Sequence, residues 1–237
     1  MGSTLSPLAA RRLMRLCIIV PILNEAQRLP RLLDELALLQ RQGVAVILVD
    51  GGSDDDSAAM IEAAGFTLVR SDRGRARQMN AGAALASGDT LLFLHADTRL
   101  PAEAIQSIEQ ALAAGTACWG RFDVTLSGRS CLLRGVARMM NWRSRCSGIA
   151  TGDQAIFVTR AAFDAVGGFP DQPLMEDIEI SKRLKRRSRP ACLRSRVTTS
   201  SRRWHDKGPW RTILLMWWLR WAYWRGTPAE QLARRYR

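Results

Sequence analysis

Acidic residues and glycines fall immediately after short apolar runs at three places in this chain. Leu16 to Ile22 (LCIIVPI) contains Pro21 and leads into Asn24 and Glu25; Ala45 to Val49 (AVILV) leads into Asp50-Gly51-Gly52-Ser53-Asp54-Asp55; Thr90 to Leu94 (TLLFL) leads into His95-Ala96-Asp97. If the runs are parallel strands, all three clusters lie beyond the carboxyl ends of one sheet, where ligands bind in such folds. Asp50 can accept hydrogen bonds from a base or ribose, and Gly51 and Gly52 let backbone approach a ligand closely. A helix-capping role for Asp50 is the weaker reading, because Ser53, Asp54 and Asp55 are better placed for it. Asp97 suits a hard cation, Mg²⁺ or Mn²⁺, which often takes one or two protein carboxylates and completes its shell with substrate phosphates. His95 serves either as a second ligand or as a group that orients the first.

Two further segments carry charge in a pattern that could act on an anion or a proton. Asp72 to Asn80 (DRGRARQMN) opens a helix, and arginine forks at a helix start can hold phosphate bidentately. Arg77 and Asn80 are the expected contacts, while Arg73 and Arg75 read equally well as a solvated loop. Glu176 and Asp177 follow Met175 and precede a helix rich in lysine and arginine. Read alone, that pair does no more than favour the dipole of its helix.

The elements that must position these residues alternate regularly through the first half. Leu16–Ile22 reads as a buried strand, and the leucines at 29, 32, 33, 36 and 39 predict a helix over Glu25–Gln42, capped by Asn24 and ended by Gly43. Strands are expected at Ala45–Val49, Thr67–Arg70 and Thr90–Leu94, with helices at Asp54–Ala64, Arg75–Ala86 and Ala102–Ala114, the last announced by Pro101. Repeated βαβ units imply a mainly parallel sheet. The alternation then loosens, with strands at Phe122–Leu126 and Ala155–Thr159, a helix at Cys131–Arg145 and a short helix ending at Gly167-Gly168.

Taken together, PILNE, VDGGSDD, HAD, GDQ, LMEDIE and RRW, in this order between about Leu16 and Trp204, resemble the family 2 glycosyltransferases of the GT-A fold. Within them the string resembles the short bacterial subgroup associated with arsenosugar biosynthesis. The resemblance implies an α/β fold, a Rossmann-like, mainly parallel sheet flanked by helices. It places Pro21, Asn24, Glu25, Asp50, Gly51, Gly52 and Ala96 around a nucleotide-sugar donor, with Arg77, Asn80 and Arg203 toward the diphosphate. It puts Mg²⁺ or Mn²⁺ at Asp97 and His95, and Gly152, Asp153 and Gln154 on the acceptor side. It makes Asp177 the general base that takes the proton of an acceptor hydroxyl, with Glu176 positioning it, in a single inverting displacement from a UDP-linked sugar. Two positions depart from the family pattern. His95 stands where many relatives carry the first carboxylate of a DxD, which weakens or shifts the metal preference, and Ser200 replaces the glutamine of a QxxRW box, which argues for a single transfer.

Composition bounds the rest. With 237 residues, 47% hydrophobic and 24% charged, the chain has the length of one full α/β domain. The five cysteines are odd in number and never in a CxxC pair, which fits buried thiols in a reducing cytosol. The N-terminal residues show neither a signal peptide nor an anchor pattern. Residues 1–177 carry 18 basic and 19 acidic side chains, whereas residues 178–237 carry 17 and 3, so the net charge of +13 sits in the last quarter. Six of the eight tryptophans follow residue 200 in that same quarter. These features predict a catalytic domain over 16–204 and an amphipathic helical extension over 205–237. Residues 210–225 are too short to span a bilayer; they suit an anionic membrane surface on the inner face, packing on the domain, or a homodimer contact, ahead of nucleic acid. The expected partners are a nucleoside diphosphate sugar and a small-molecule or lipid-linked hydroxyl acceptor, in the cytoplasm. A nucleotidyltransferase is disfavoured because PILNEAQR is not a Gly-rich, lysine-bearing phosphate loop; a non-catalytic membrane-bound module is the other alternative.

Overall fold

Apolar side chains point to both faces of the first strand, and this decides the architecture. In β1 (Leu16–Ile22), Ile18 and Val20 enter one hydrophobic cluster and Cys17 and Ile19 the other, all fully buried. A strand covered on both sides reads as one continuous apolar run and belongs between two helical layers. The structure, a computed structural model, describes residues 14–128, 130–202, 204 and 208–236.

Eight strands form one sheet in the order β3-β2-β1-β4-β7-β6-β8-β5: β2 (Ala45–Asp50), β3 (Thr67–Arg70), β4 (Thr90–Phe93), β5 (Thr98–Arg99), β6 (Trp119–Leu126), β7 (Ile156–Thr159) and β8 (Ala191–Thr199). The β3-β2-β1-β4 half is parallel. β7 enters antiparallel between β4 and β6, β6 runs parallel to β8, and the short β5 closes the edge antiparallel to β8. One face is covered by α1 (Leu29–Arg41), α2 (Ser57–Ala63), α4 (Ala104–Ala113) and α5 (Cys131–Ser147); the other by α3 (Arg75–Leu85), α6 (Arg160–Ala165) and α7 (Glu176–Lys185). α8 (Pro209–Trp224) and α9 (Ala229–Tyr236) follow.

Helix α3 approaches the sheet so closely that a Cβ on Gly82 would stand 2.5 Å from Ile19 Cγ2. Glycine there is a packing requirement, since close-packed interiors have no slack for the extra methyl. Three aromatic rings, Phe93, Phe163 and Phe169, meet on the same side, with centroids 4.8 to 5.9 Å apart. Asn80 fixes one of them from α3: its side-chain amide donates to Phe169 O at 2.8 Å, and its Oδ1 accepts from Phe169 N at 2.9 Å.

Several expectations shift. α1 begins at Leu29, after a turn over residues 25–28, and its cap position, Arg28, makes no side-chain cap bond. Asn24 sits at φ 54°, a left-handed conformation that asparagine tolerates, and laces two loops together: its N donates to Ser53 Oγ and its Oδ1 accepts from Asp54 N. α2 likewise starts at Ser57, because Asp55 spends its carboxylate on Ala26 N and Ser57 N. Strands β5 and β8 are additional to the expected ones. Cysteines 131 and 146 are exposed, not buried, because they lie on the outer surface of α5.

The chain's last helices pack back on the domain. Leu219 and Ala222 of α8 and Leu232 of α9 bury against Leu174, Met175 and Ile178 at the start of α7. That leaves Trp210, Leu214, Trp217, Trp221 and Trp224 exposed along α8.

Candidate active site

Gln78 builds the floor of the crevice. Its Nε2 donates to Ile22 O at 2.7 Å and Val49 O at 2.8 Å, tying together the carboxyl ends of β1 and β2. Gly51 lies against this amide, and a Cβ there would come within 2.8 Å of Gln78 Cδ. Around the floor opens a cleft of about 450 Å³ whose polar rim is Glu25, Arg73, Arg75, His95, Asp97 and Asp153, with Glu176, Asp177, Ser200 and Arg220.

The antiparallel entry of β7 explains how residues far apart in sequence reach one rim. Phe93 pairs with Ile156, so the turn Gly152–Gln154 that precedes β7 stands beside the residues that follow β4. The ring of His95 lies against Gly152, where a Cβ would fall 2.3 Å from the ring, and His95 Nδ1 is 3.5 Å from Asp153 Oδ1. From the other side, β5 pairs Thr98 with Thr199 of β8. This brings the hydroxyls of Thr98 and Thr199 to Asp97 Oδ1 at 3.3 and 3.4 Å, and Ser200 N to Asp97 O at 3.2 Å.

Asp177 is held from two directions. Gly152 N donates to its Oδ2 at 3.0 Å and Ile178 N to its Oδ1 at 2.7 Å. The preceding Met175 takes φ 66°, an uncommon conformation for a bulky side chain and one that persists only where surrounding packing enforces it. Its side chain is buried in the cluster formed with α8 and α9. Glu176 is 5% exposed, and burial, followed by the nearby Asp177 charge, raises its pKa; Arg75 and His95 pull the other way.

That raised pKa has a definite sign in stability. The folded chain holds the Glu176 proton more tightly than the unfolded chain does, so Glu176 costs stability as pH climbs from the ordinary carboxylate range through its raised folded value. Glu176→Gln is expected to become more stable than the parent across that window and to match it at acid pH, where the carboxyl is protonated in both states. Urea melts at a series of pH values read this directly; an offset equal at every pH would count against ionisation as its source.

Of the expected site residues, Pro21, Glu25, His95, Ala96, Asp97, Gly152, Asp153, Glu176 and Asp177 line the cleft. Others have different work. Asp50, 5% exposed, turns its carboxylate into its own loop, accepting from Gly52 N and Ser53 N at 3.1 and 3.2 Å and from the Ser53 hydroxyl. Gly52 supplies the φ of 82° that this loop needs, and Gly51 the close contact with Gln78. Asn24 and Asn80 make the structural bonds described above. Arg77 turns outward to Asp171 at 2.8 Å, and Gln154 is buried in a reciprocal bond with Thr151. Arg203 lies outside the described residues. Arg73 and Arg75 take the cleft position expected of Arg77, because α3 begins at Arg75 and carries Arg77 to its outer side. Arg220 had no signal in the sequence beyond being a charge inside an apolar helix.

Among the described residues no group of three or more His, Cys, Asp or Glu side chains converges as a metal cage. Asp97, with its Oδ1 steadied by two hydroxyls, fits an ion that takes one or two protein oxygens and the rest from a diphosphate. His95, with Nδ1 3.5 Å from Asp153 Oδ1, fits a histidine that orients the rim.

The model of the Glycosyl transferase family 2 matches residues 17–157. The chain belongs to that family. The undecaprenyl-phosphate 4-deoxy-4-formamido-L-arabinose transferase of Yersinia pestis (strain Pestoides F) is 30% identical over 152 residues, which is 59% of this chain and 46% of that protein. The chain thus matches about half the length of such curated relatives. Among solved structures, S. aureus TarS 1-349 in complex with UDP-GlcNAc superposes with a TM-score of 0.62 at 18% identity, covering 79% of this chain and 58% of that one. The mannosyltransferase PcManGT from Pyrobaculum calidifontis, in complex with GDP-Man and Mn²⁺, gives 0.61 at 21% identity, covering 78% and 56%. The architecture of this family member is therefore the GT-A type: a mainly parallel sheet flanked by helices.

Proposed function

We propose that the chain transfers a sugar from a nucleoside diphosphate sugar, UDP-linked, to an acceptor hydroxyl in one inverting, metal-assisted displacement. The observation that carries this reading is the single cleft whose rim holds Glu25, Asp97, Glu176 and Asp177 together with Arg73 and Arg75. Arg73 and Arg75 supply positive charge for a diphosphate, and Pro21, Glu25 and Ala96 border the nucleotide end. When bound through Asp97, Mg²⁺ or Mn²⁺ would neutralise charge growing on the departing diphosphate. Asp177, oriented by Gly152 N, takes the acceptor proton, and buried Glu176 steadies the start of α7. The solved neighbours with UDP-GlcNAc, or with GDP-Man and Mn²⁺, support a nucleotide-sugar donor. The narrower likeness to the arsenosugar-biosynthesis subgroup rests on the motif string alone.

The exposed apolar side chains of α8 recur at alternating spacings of four and three, so Trp210, Leu214, Trp217, Trp221 and Trp224 form one stripe. With Arg211 and Arg225 beside it and the basic last quarter around it, the stripe supports a peripheral position on the anionic inner face of the cell membrane. No helix among the described residues is long and apolar enough to cross a bilayer.

Thermal melts with a panel of nucleoside diphosphate sugars, with and without Mn²⁺, test the donor assignment. A cognate donor at 100 times its Kd should add about 2.7 kcal/mol of stability, more with metal than without. No shift from any member of the panel in either condition would remove the donor reading.

A further inference from the structure

Two strand ends meet at one side chain on the rim. His95 lies just beyond β4, and its backbone is fixed on both sides: Leu94 N donates to Ile19 O at 3.0 Å and Thr98 N to His95 O at 3.0 Å. Its side chain is 11% exposed. Both ring nitrogens are turned toward the Gly152–Asp153 corner. A Cβ on Gly152 would fall 2.3 Å from both Cε1 and Nε2, and Nδ1 stands 3.5 Å from Asp153 Oδ1. The space that a side chain at position 152 would need is thus filled by an imidazole from the neighbouring strand end.

Gly152 in turn holds Asp177. Its N–H is one of two that fix the carboxylate, donating to Oδ2 at 3.0 Å while Ile178 N donates to Oδ1 at 2.7 Å. The rest of its turn is tied internally: Gln154 N donates to Thr151 O at 2.8 Å, Ala155 N to Gly152 O at 3.1 Å, and Thr151 N to the Oε1 of buried Gln154 at 3.2 Å. Those bonds set the shape of the turn, and the imidazole braces its open corner against the residues after β4. A close-packed contact of this kind transmits small displacements. A base must stay within hydrogen-bond reach of the proton it takes, and a misplacement of about 1 Å costs on the order of 10²-fold in rate.

We propose that His95 is a positioning residue for Asp177, acting through Gly152, and not a ligand of the cation. The proposal rests on the sugar-transfer reading and divides the residues of one strand end between two tasks, Asp97 toward the metal and His95 toward the base. Without the ring, the Gly152 corner moves into the vacated space, the bond to Oδ2 slackens, and the carboxylate pivots about its remaining bond from Ile178 N. A methyl at position 152 acts from the other side, because at 2.3 Å from Cε1 and Nε2 it forces the ring or the turn away.

The link can be read from the Gly152 amide in nuclear magnetic resonance spectra of the full chain carrying isotope-labelled glycine, the signal being identified by its loss in Gly152→Ala. Asp177→Asn is expected to shift that signal upfield, as a neutral acceptor replaces a carboxylate, and His95→Ala to shift it the same way. In calorimetric titration with UDP, the gain in affinity from Mn²⁺ should be preserved in His95→Ala to within about twofold. In single-turnover transfer from the UDP-sugar that gives the largest melting shift, His95→Ala should lower the rate by about 10²-fold. It should cost nothing further in the Asp177→Asn background, where the base it serves is already gone. It should also restore part of the rate lost in Gly152→Ala, a recovery that poor folding could not produce. A Gly152 signal unmoved in His95→Ala overturns the proposal, and so does a loss of rate equally large with and without Asp177. A Mn²⁺ gain that collapses in His95→Ala overturns it too, by making His95 a ligand. Should UDP bind in neither condition, sugar transfer itself falls, and with it the base that His95 serves.

Discussion

Asp177→Asn is expected to lower sugar transfer by a factor on the order of 10² to 10⁴, the range for removal of a positioned general base, while leaving nucleotide-sugar affinity nearly unchanged. The asymmetry follows from position. Asp177 stands at the start of α7 beside Gly152 and Arg220, whereas Pro21 and Glu25 belong to β1 and the turn after it and Arg73 precedes α3. An asparagine is the same size and can still accept from either Gly152 N or Ile178 N, so the fold should hold. Single-turnover transfer of radiolabelled sugar, paired with calorimetric donor titration, separates the two quantities. Undiminished transfer by the variant would reject Asp177 as the base.

Asp97→Asn should strike the donor side instead. On the proposed reading its carboxylate would hold the cation, and a bound metal supplies several kcal/mol of charge stabilisation. Loss of that charge should reduce turnover by about 10²-fold or more and remove the part of UDP affinity that depends on Mn²⁺. The hydroxyls of Thr98 and Thr199 can still bond the side-chain oxygen, so the edge pairing of β5 with β8 should survive. Titrations of UDP with and without Mn²⁺ decide the matter: an increment from metal as large in the variant as in the parent would clear Asp97 of the role.

The first half of the chain was legible because its chemistry repeats. β1 to β4 are buried apolar runs separated by helices with leucine or alanine spacing, and tertiary packing overrode local preference only at helix starts. The loops after β1 and β2 moved those starts: the side chains of each accept from the other's backbone, Ser53 from Asn24 N, Asn24 from Asp54 N and Asp55 from Ala26 N, where a linear reading sees helix caps. β8 escaped because ACLRSRVTT alternates arginine with small residues and buries only part of its length, and β5 because two residues carry no periodicity. Asp97, Glu176 and Asp177 were readable as a set only through their motifs; the distance from residue 97 to residue 177 is closed by an antiparallel strand that no local pattern announces. The far wall was the least legible. α8 is apolar nearly all round, so nothing in its spacing told the face that packs on Met175 from the face left to solvent, and Arg220 looked like an interruption.

Because β8 ends at Thr199 and α8 begins at Pro209, synthesis on the ribosome completes the sheet and its acidic rim just ahead of the wall that encloses them, which brings Thr212, Ile213, Met216 and Arg220. A nascent chain stalled ahead of α8 would display an open, solvent-flooded trough with Met175 and Ile178 uncovered. Such a translation intermediate would be both inert toward an acceptor and sticky toward chaperones until the closing hairpin emerges.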